Sequence, residues 1–146
     1  MKSKFSETLQ TRELIAETEA LLSAHERSLY LSYHLCASDL AILTRLQKKG
    51  SKPVNQLAAK VGLTSGSMTT AVQRLQKREM ITTNRDEKDG RKVWVEITKK
   101  GKQTVRDLTS EREKQFGPIF SSFSDREEKV LVALLKKIRK ATRPNN

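Results

Sequence analysis

Ser65, Ser67, Thr70 and Gln73 bring three hydroxyls and an amide into one short stretch, with Arg74 beside them. On one side of a helix such groups can reach base edges or phosphates in a major groove, and the arginine suits a phosphate. A second group follows at Arg85, Lys88, Asp89 and Arg91, gathered around Gly90. Asp89 and Arg91 flank that glycine, so in a tight hairpin tip the carboxylate is expected to hold the guanidinium in a fixed direction. A third candidate is His34 with Cys36. Two ligands do not make a zinc site, and a lone cysteine is more often a small buried hydrophobe. A redox role for Cys36 would need an accessible, acidified thiol, for which a helix N-terminus near Ser38 is the supporting feature. His25 is the only other histidine. With no glycine-rich phosphate loop and no catalytic constellation, the sequence points to neither an enzyme nor a cofactor.

The elements that must position these groups follow from periodicity. Residues 5 to 34 lack Pro and Gly and read as one long or slightly broken helix whose apolar residues want a partner. Ala37, Ser38 and Asp39 supply a cap for a short helix ended by Gly50. Pro53 opens a third helix, closed by Gly62. Thr64 or Ser65 then caps a fourth, in which Met68, Ala71, Val72 and Leu75 keep helical spacing and Ser67, Thr70, Gln73, Arg74 and Lys77 fall on the polar side. Two short helices across a glycine turn make a helix-turn-helix. From Ile81 the period becomes two, and Val93 to Ile97 alternates again after a charged loop, which gives a β-hairpin. Thr98 caps the next helix, which Gly117-Pro118 should break or kink, and Ser124 starts the last.

Charge is distributed unevenly along the 146 residues. Residues 1–44 are net −2, residues 45–102 are net +10 and residues 103–146 are net +4. Concentrating cations in the middle third suits a polyanion held there. No apolar stretch approaches the ~20 residues of a membrane span. The N-terminus lacks the apolar region of a secretory signal, and one cysteine excludes an intrachain disulfide, so a reducing cytoplasm is the expected address. The apolar faces of residues 5–34 and 119–138 exceed what a small winged helix can cover, so a homodimer is expected. The fold class is therefore mainly α with a small β-hairpin wing. Trp94 is the only aromatic of the basic third, where RNA readers usually offer stacking platforms, so double-stranded DNA is favoured as partner. A nonspecific architectural DNA binder or an RNA binder is the alternative.

Across roughly residues 8–142 the sequence resembles the MarR family of winged-helix transcription regulators. The resemblance rests on Asp39-Leu40-Ala41-Ile42-Leu43, Gln56-Leu57-Ala58, Leu63-Thr64-Ser65-Gly66-Ser67-Met68-Thr69, Arg74-Leu75, Arg85-Asp86, Asp89-Gly90-Arg91 and Ile97-Thr98-Lys99-Lys100-Gly101. It implies a dimerisation region at residues 1–36 and 103–146 and a DNA-binding winged helix-turn-helix at 37–102. It also implies gene repression relieved by a small molecule or an oxidant. Thr64 and Thr69 join the DNA-facing set, Arg91 is expected in a minor groove, and Arg85 and Lys88 on flanking phosphates. Tyr30, Tyr33 and His34 fall where a ligand cleft wall would lie, for an effector of phenolic or quinone-like type. Glu79 occupies a position where the family commonly has Gly. A left-handed backbone there costs Glu about 1 kcal/mol relative to Gly.

Overall fold

The computed structural model describes residues 4–142. Its contacts form two compact units, Met1–Glu111 and Arg112–Asn146.

The first unit opens with α1 (Lys4–Ser32), which has no buried residue and leaves Phe5, Leu9, Leu14 and Leu21 exposed. His34 follows in a left-handed conformation (φ 52°) and ends the helical run. The next helix, α2 (Ala37–Lys49), is capped one residue earlier than the sequence indicates. Cys36 is the N-cap, and its backbone N–H donates to Asp39 Oδ2 at 3.1 Å. Pro53 belongs to a two-residue strand β1 (Lys52–Pro53), too short to show alternation, and α3 (Val54–Val61) begins after it. Helix α4 (Ser65–Lys77) completes the helix-turn-helix. Strands β2 (Ile81–Arg85) and β3 (Val93–Ile97) form the hairpin. The sheet order is β1-β3-β2, antiparallel throughout, with Thr83 opposite Val95 and Lys52 on the other side of the same Val95.

Leu40, Ile42, Leu43 and Leu46 of α2 pack with Leu57, Met68, Leu75, Ile81, Val95 and Leu108 into one buried cluster. Burial of that many large aliphatic side chains, each worth about 1.5–3 kcal/mol, fixes α4 against the rest. One charged group is buried with the core among the described residues. Asp39 is 0% exposed, and Arg74 reaches it from α4 with Nη2–Oδ1 at 2.6 Å and Nε–Oδ2 at 3.1 Å. Arg78 donates from the end of α4 to the carbonyls of His34 (2.6 Å) and Tyr33 (2.7 Å). Two arginines thus tie the α1–α2 turn to α4.

Helix α4 ends in a Schellman arrangement, with Met80 N–H on the Leu75 carbonyl and Glu79 N–H on that of Gln76. Glu79 takes the left-handed backbone (φ 59°) that the family's glycine would take. Its carbonyl accepts the Thr98 hydroxyl at 2.7 Å, while Thr98 Oγ1 accepts the Gly101 N–H at 3.1 Å and so caps α5 (Lys99–Phe120). Gly101 is obligatory at this junction, since a Cβ there would collide with the Met80 carbonyl and sit 2.8 Å from Ile97 Cγ1.

Of the expected break or kink at Gly117-Pro118, the break does not occur: α5 runs on through Pro118 to Phe120, the proline giving up one N–H bond to the preceding turn without ending the helix. The second unit holds this C-terminal part of α5 and then α6 (Asp125–Ala141). Helix α6 opens at Ser124 as expected, on a capping box in which Ser124 Oγ accepts Glu127 N–H and Glu127 Oε2 accepts Ser124 N–H. It has no buried residue, and Val130, Leu134, Leu135 and Ile138 are exposed at helical spacing.

Removing Arg74 strands a carboxylate that has no access to water. Arg74→Ala is therefore expected to cost about 3 kcal/mol, roughly 10 °C in melting temperature. Glu79→Gly should raise stability by up to about 1 kcal/mol by relieving the left-handed residue. Thermal denaturation of both variants checks the signs, and a Glu79→Gly variant that melts lower would show that its side chain outweighs its backbone strain.

Candidate nucleic-acid interface

Gly66, Thr70, Gln73 and Lys77 recur at intervals of four, three and four, and they form the outer face of α4 opposite buried Met68, Ala71, Val72 and Leu75. Thr70 Oγ1 donates to the Gly66 carbonyl at 3.2 Å and Thr69 Oγ1 to that of Ser65 at 2.9 Å. With their hydroxyl protons used inside the helix, both threonines offer outward an acceptor oxygen and a methyl. Thr64 is the N-cap, accepting Ser67 N–H at 3.2 Å and donating to Ser67 Oγ at 3.0 Å, so this pair holds the start of the helix. Lys77, which the sequence places only on the polar side, shares the outer face with Thr70 and Gln73. Spacing alone carries that signal.

Arg74 sits on the flank of α4 with its guanidinium committed to Asp39, its side chain 39% exposed. The hydrogen bond and charge of Asp39 hold its pKa above the ordinary arginine value. The guanidinium expected on a phosphate is held here by Asp39, 35 residues earlier in the chain.

In the wing, Asp86 is the organising residue. Its Oδ1 accepts the backbone N–H of Lys88 (2.9 Å) and Asp89 (3.0 Å), and its Oδ2 accepts Trp94 Nε1–H at 2.9 Å. These donors, Trp94 foremost, lower the Asp86 pKa from its ordinary value. The expected contact between the Asp89 carboxylate and the Arg91 guanidinium does not form. Asp89 Oδ1 accepts the Arg91 backbone N–H at 3.1 Å instead, since the carboxylate is short and the peptide N–H of Arg91 is the nearer donor. Arg85 Nη1 leans to the Gly90 carbonyl at 3.3 Å, and Lys88 and Arg91 are exposed.

Recognition helix and wing meet across a groove of about 590 Å³, lined by Val54, Ala58, Ser65, Met68, Thr69, Val72, Asp89, Arg91, Lys92 and Val93. The structure therefore brings Ser65 and Thr69 to one recess with Asp89 and Arg91. Tyr30, Tyr33 and His34 do not line it. Both tyrosines pack half-buried against the core, Tyr30 Oη donates to Glu26 Oε2 at 2.6 Å, and His34 is exposed. Cys36 is also exposed, contrary to its reading as a buried hydrophobe, because the N-cap position points its side chain outward. Its Sγ lies 3.0 Å from Ser38 Oγ and 3.4 Å from Arg74 Nη2.

The Asp86 carboxylate has a depressed folded-state pKa, so its contribution is complete above the unfolded value near pH 4 and is lost as pH falls through the lower folded value. Trp94, the single tryptophan, reports this directly. Its emission should hold through the ordinary aspartate range and shift only below it, and Asp86→Asn should remove that acid step. An unchanged acid profile in the variant would deny Asp86 this role.

The family model of transcriptional regulator SarA/Rot matches residues 27–108. The HTH-type transcriptional regulator MhqR of Bacillus subtilis is 28% identical over 101 residues, covering 69% of this chain and 70% of that protein. A MarR family protein from Bacillus stearothermophilus superposes with a TM-score of 0.84 at 21% identity, covering 96% of this chain and 98% of the other. BpsR of Bordetella bronchiseptica, whose DNA binding is regulated by 6-hydroxynicotinic acid, superposes with a TM-score of 0.75 at 21% identity, covering 89% and 98%. The likeness to these structures carries the winged-helix fold, and the matched family carries the role. With more than half of its residues matched, this chain belongs to the SarA/Rot transcriptional regulators, DNA-binding proteins of MarR type.

Proposed function

We propose that the protein is a cytoplasmic homodimer that represses transcription by sequence-specific binding to duplex DNA and is released by a small aromatic effector or by oxidation. The observation that carries the DNA-reading part is the α4 outer face of Gly66, Thr70, Gln73 and Lys77, beside a groove that Ser65 and Thr69 of the same helix share with Arg91 of the wing. Thr70 and Gln73 face base edges, Ser65 and Thr69 the groove side, and Thr64 and Ser67 keep the helix start rigid. Arg91 enters the adjoining minor groove, and Arg85, Lys88 and Lys77 meet phosphates. Asp89 acts by fixing the backbone at Arg91.

Dimerisation is supported by the exposed Phe5, Leu9, Leu14 and Leu21 of α1 and by the apolar face of α6, neither helix holding a buried residue. On this reading residues 1–36 and 103–146 pair the subunits while 37–102 read DNA. On this reading an effector of phenolic or quinone-like type contacts Tyr30, Tyr33 and His34, and the regulation of BpsR by a hydroxylated aromatic acid supports that class. Cys36, exposed beside Arg74 at a helix N-terminus, is the oxidant-accessible group.

Selection from a random duplex pool, with light scattering on the complex, tests this reading. A dimer should enrich a pseudo-palindrome with half-sites about one helical turn apart. Thr70→Ala and Gln73→Ala should each relax preference by about 1–3 kcal/mol, while Arg91→Ala weakens all duplexes with an unchanged melting temperature. Enrichment of no sequence, or a monomer on DNA, would overturn the proposal in favour of a nonspecific binder.

A further inference from the structure

We propose that the recess bounded by Arg45, Lys52, Gln56 and Lys60 is a second phosphate site, which takes backbone phosphates of duplex DNA flanking the stretch read by α4 and the wing. The inference rests on the DNA-binding reading above and adds to it a surface that the recognition helix does not share.

Residues 40–78 hold eight Lys and Arg and no Asp or Glu. Two of those cations are spent inside the fold, Arg74 on Asp39 and Arg78 on the carbonyls of Tyr33 and His34. Arg45, Lys52 and Lys60 have no carboxylate within ion-pair distance among the described residues. They converge instead on a recess of about 320 Å³ floored by Leu57 and Ala59, with the Gln56 amide on its wall. Three uncompensated cations held this close repel one another, and an anion among them relieves the repulsion.

Position separates this recess from the recognition surface. Val54, Asn55 and Ala58 of α3 line the groove shared with the wing, whereas Gln56, Ala59 and Lys60 line the recess. At 100° per residue the centres of these two sets lie about 150° apart around α3, with Asn55 and Ala59 adjoining at the seam. A helix with its side chains is about 10–12 Å across, so phosphates reached from one side are not those reached from the other. Lys48 and Lys49, in the last turn of α2, extend the positive surface. A duplex carries a charge every ~1.7 Å along its axis, so DNA continuing past the half-site supplies the anions, and its counterion release favours contact.

The test compares two duplexes by fluorescence anisotropy over a range of salt. One is the selected site trimmed to about 20 base pairs, and the other is the same site centred in about 60. The probe variant is Arg45→Gln/Lys52→Gln/Lys60→Gln, with Lys52→Gln/Lys60→Gln in its place if the triple variant melts lower. The native protein should hold the long duplex about 10-fold more tightly than the short one. The variant should lose that preference while its short-duplex affinity changes less than about 2-fold, and its salt slope on the long duplex should fall by about 0.9 per lost phosphate contact. Equal losses on both lengths, or no loss on either, overturn the inference and leave the DNA-binding reading standing. So does binding of inorganic pyrophosphate that the variant abolishes while both duplexes bind as before. A native protein that binds neither duplex removes both.

Discussion

Asp39 is a carboxylate sealed from water at the third position of α2, and its two oxygens are satisfied from two directions. The backbone N–H of Cys36 reaches it from the start of its own helix, and the Arg74 guanidinium reaches it from α4. A buried charge with one partner removed is costly, so the two helices are held in one register by a contact that cannot be half made. Arg78 repeats the tie a turn further on, through the carbonyls at the end of α1. The recognition helix is thus pinned on one flank by ionic and polar bonds and on its inner side by Met68, Val72 and Leu75. What it presents to solvent is what these constraints leave over.

The wing shows the same economy with fewer parts. Asp86 gathers two loop N–H groups and the indole of Trp94, and so links the tip of the hairpin to the strand that follows it. Arg85, Lys88 and Arg91 remain at the surface because the loop's internal bonds are made by backbone and by the two aspartates. Behind the hairpin, Glu79, Thr98 and Gly101 lock the exit of α4 to the start of α5, and the close approach at the Met80 carbonyl leaves no room for a side chain.

Most elements were legible because their signals are local. Helical spacing marks α2 to α4, alternation marks the hairpin, and Thr98 and Ser124 announce the helices that follow them. The exceptions have physical causes. Strand β1 is two residues long and exists only by pairing with β3. Pro118 removes one N–H bond from α5 without ending it, which residue type alone does not disclose. Spacing also gave the outer face of α4, including Thr70 and Gln73. It could not reveal that Arg74 turns inward, since nothing in residues 65–77 indicates a carboxylate 35 positions earlier. Nor does the pair Asp89 and Arg91 disclose that a backbone N–H takes the carboxylate before the guanidinium can.

With Arg74 turned inward and the threonine protons used within the helix, the outer face of α4 keeps one cation, Lys77, among small neutral groups. Within residues 45–102 most of the remaining positive charge lies elsewhere, on the wing and on the α2–α3 side. On the proposed reading, specificity and general attraction to DNA therefore rest on different residues. Duplicated copies of such a gene can change Thr70 or Gln73 and acquire a new target without touching the fold, the wing or the general attraction to DNA. A scaffold partitioned in this way allows a set of related regulators to diverge in address while their grip stays the same.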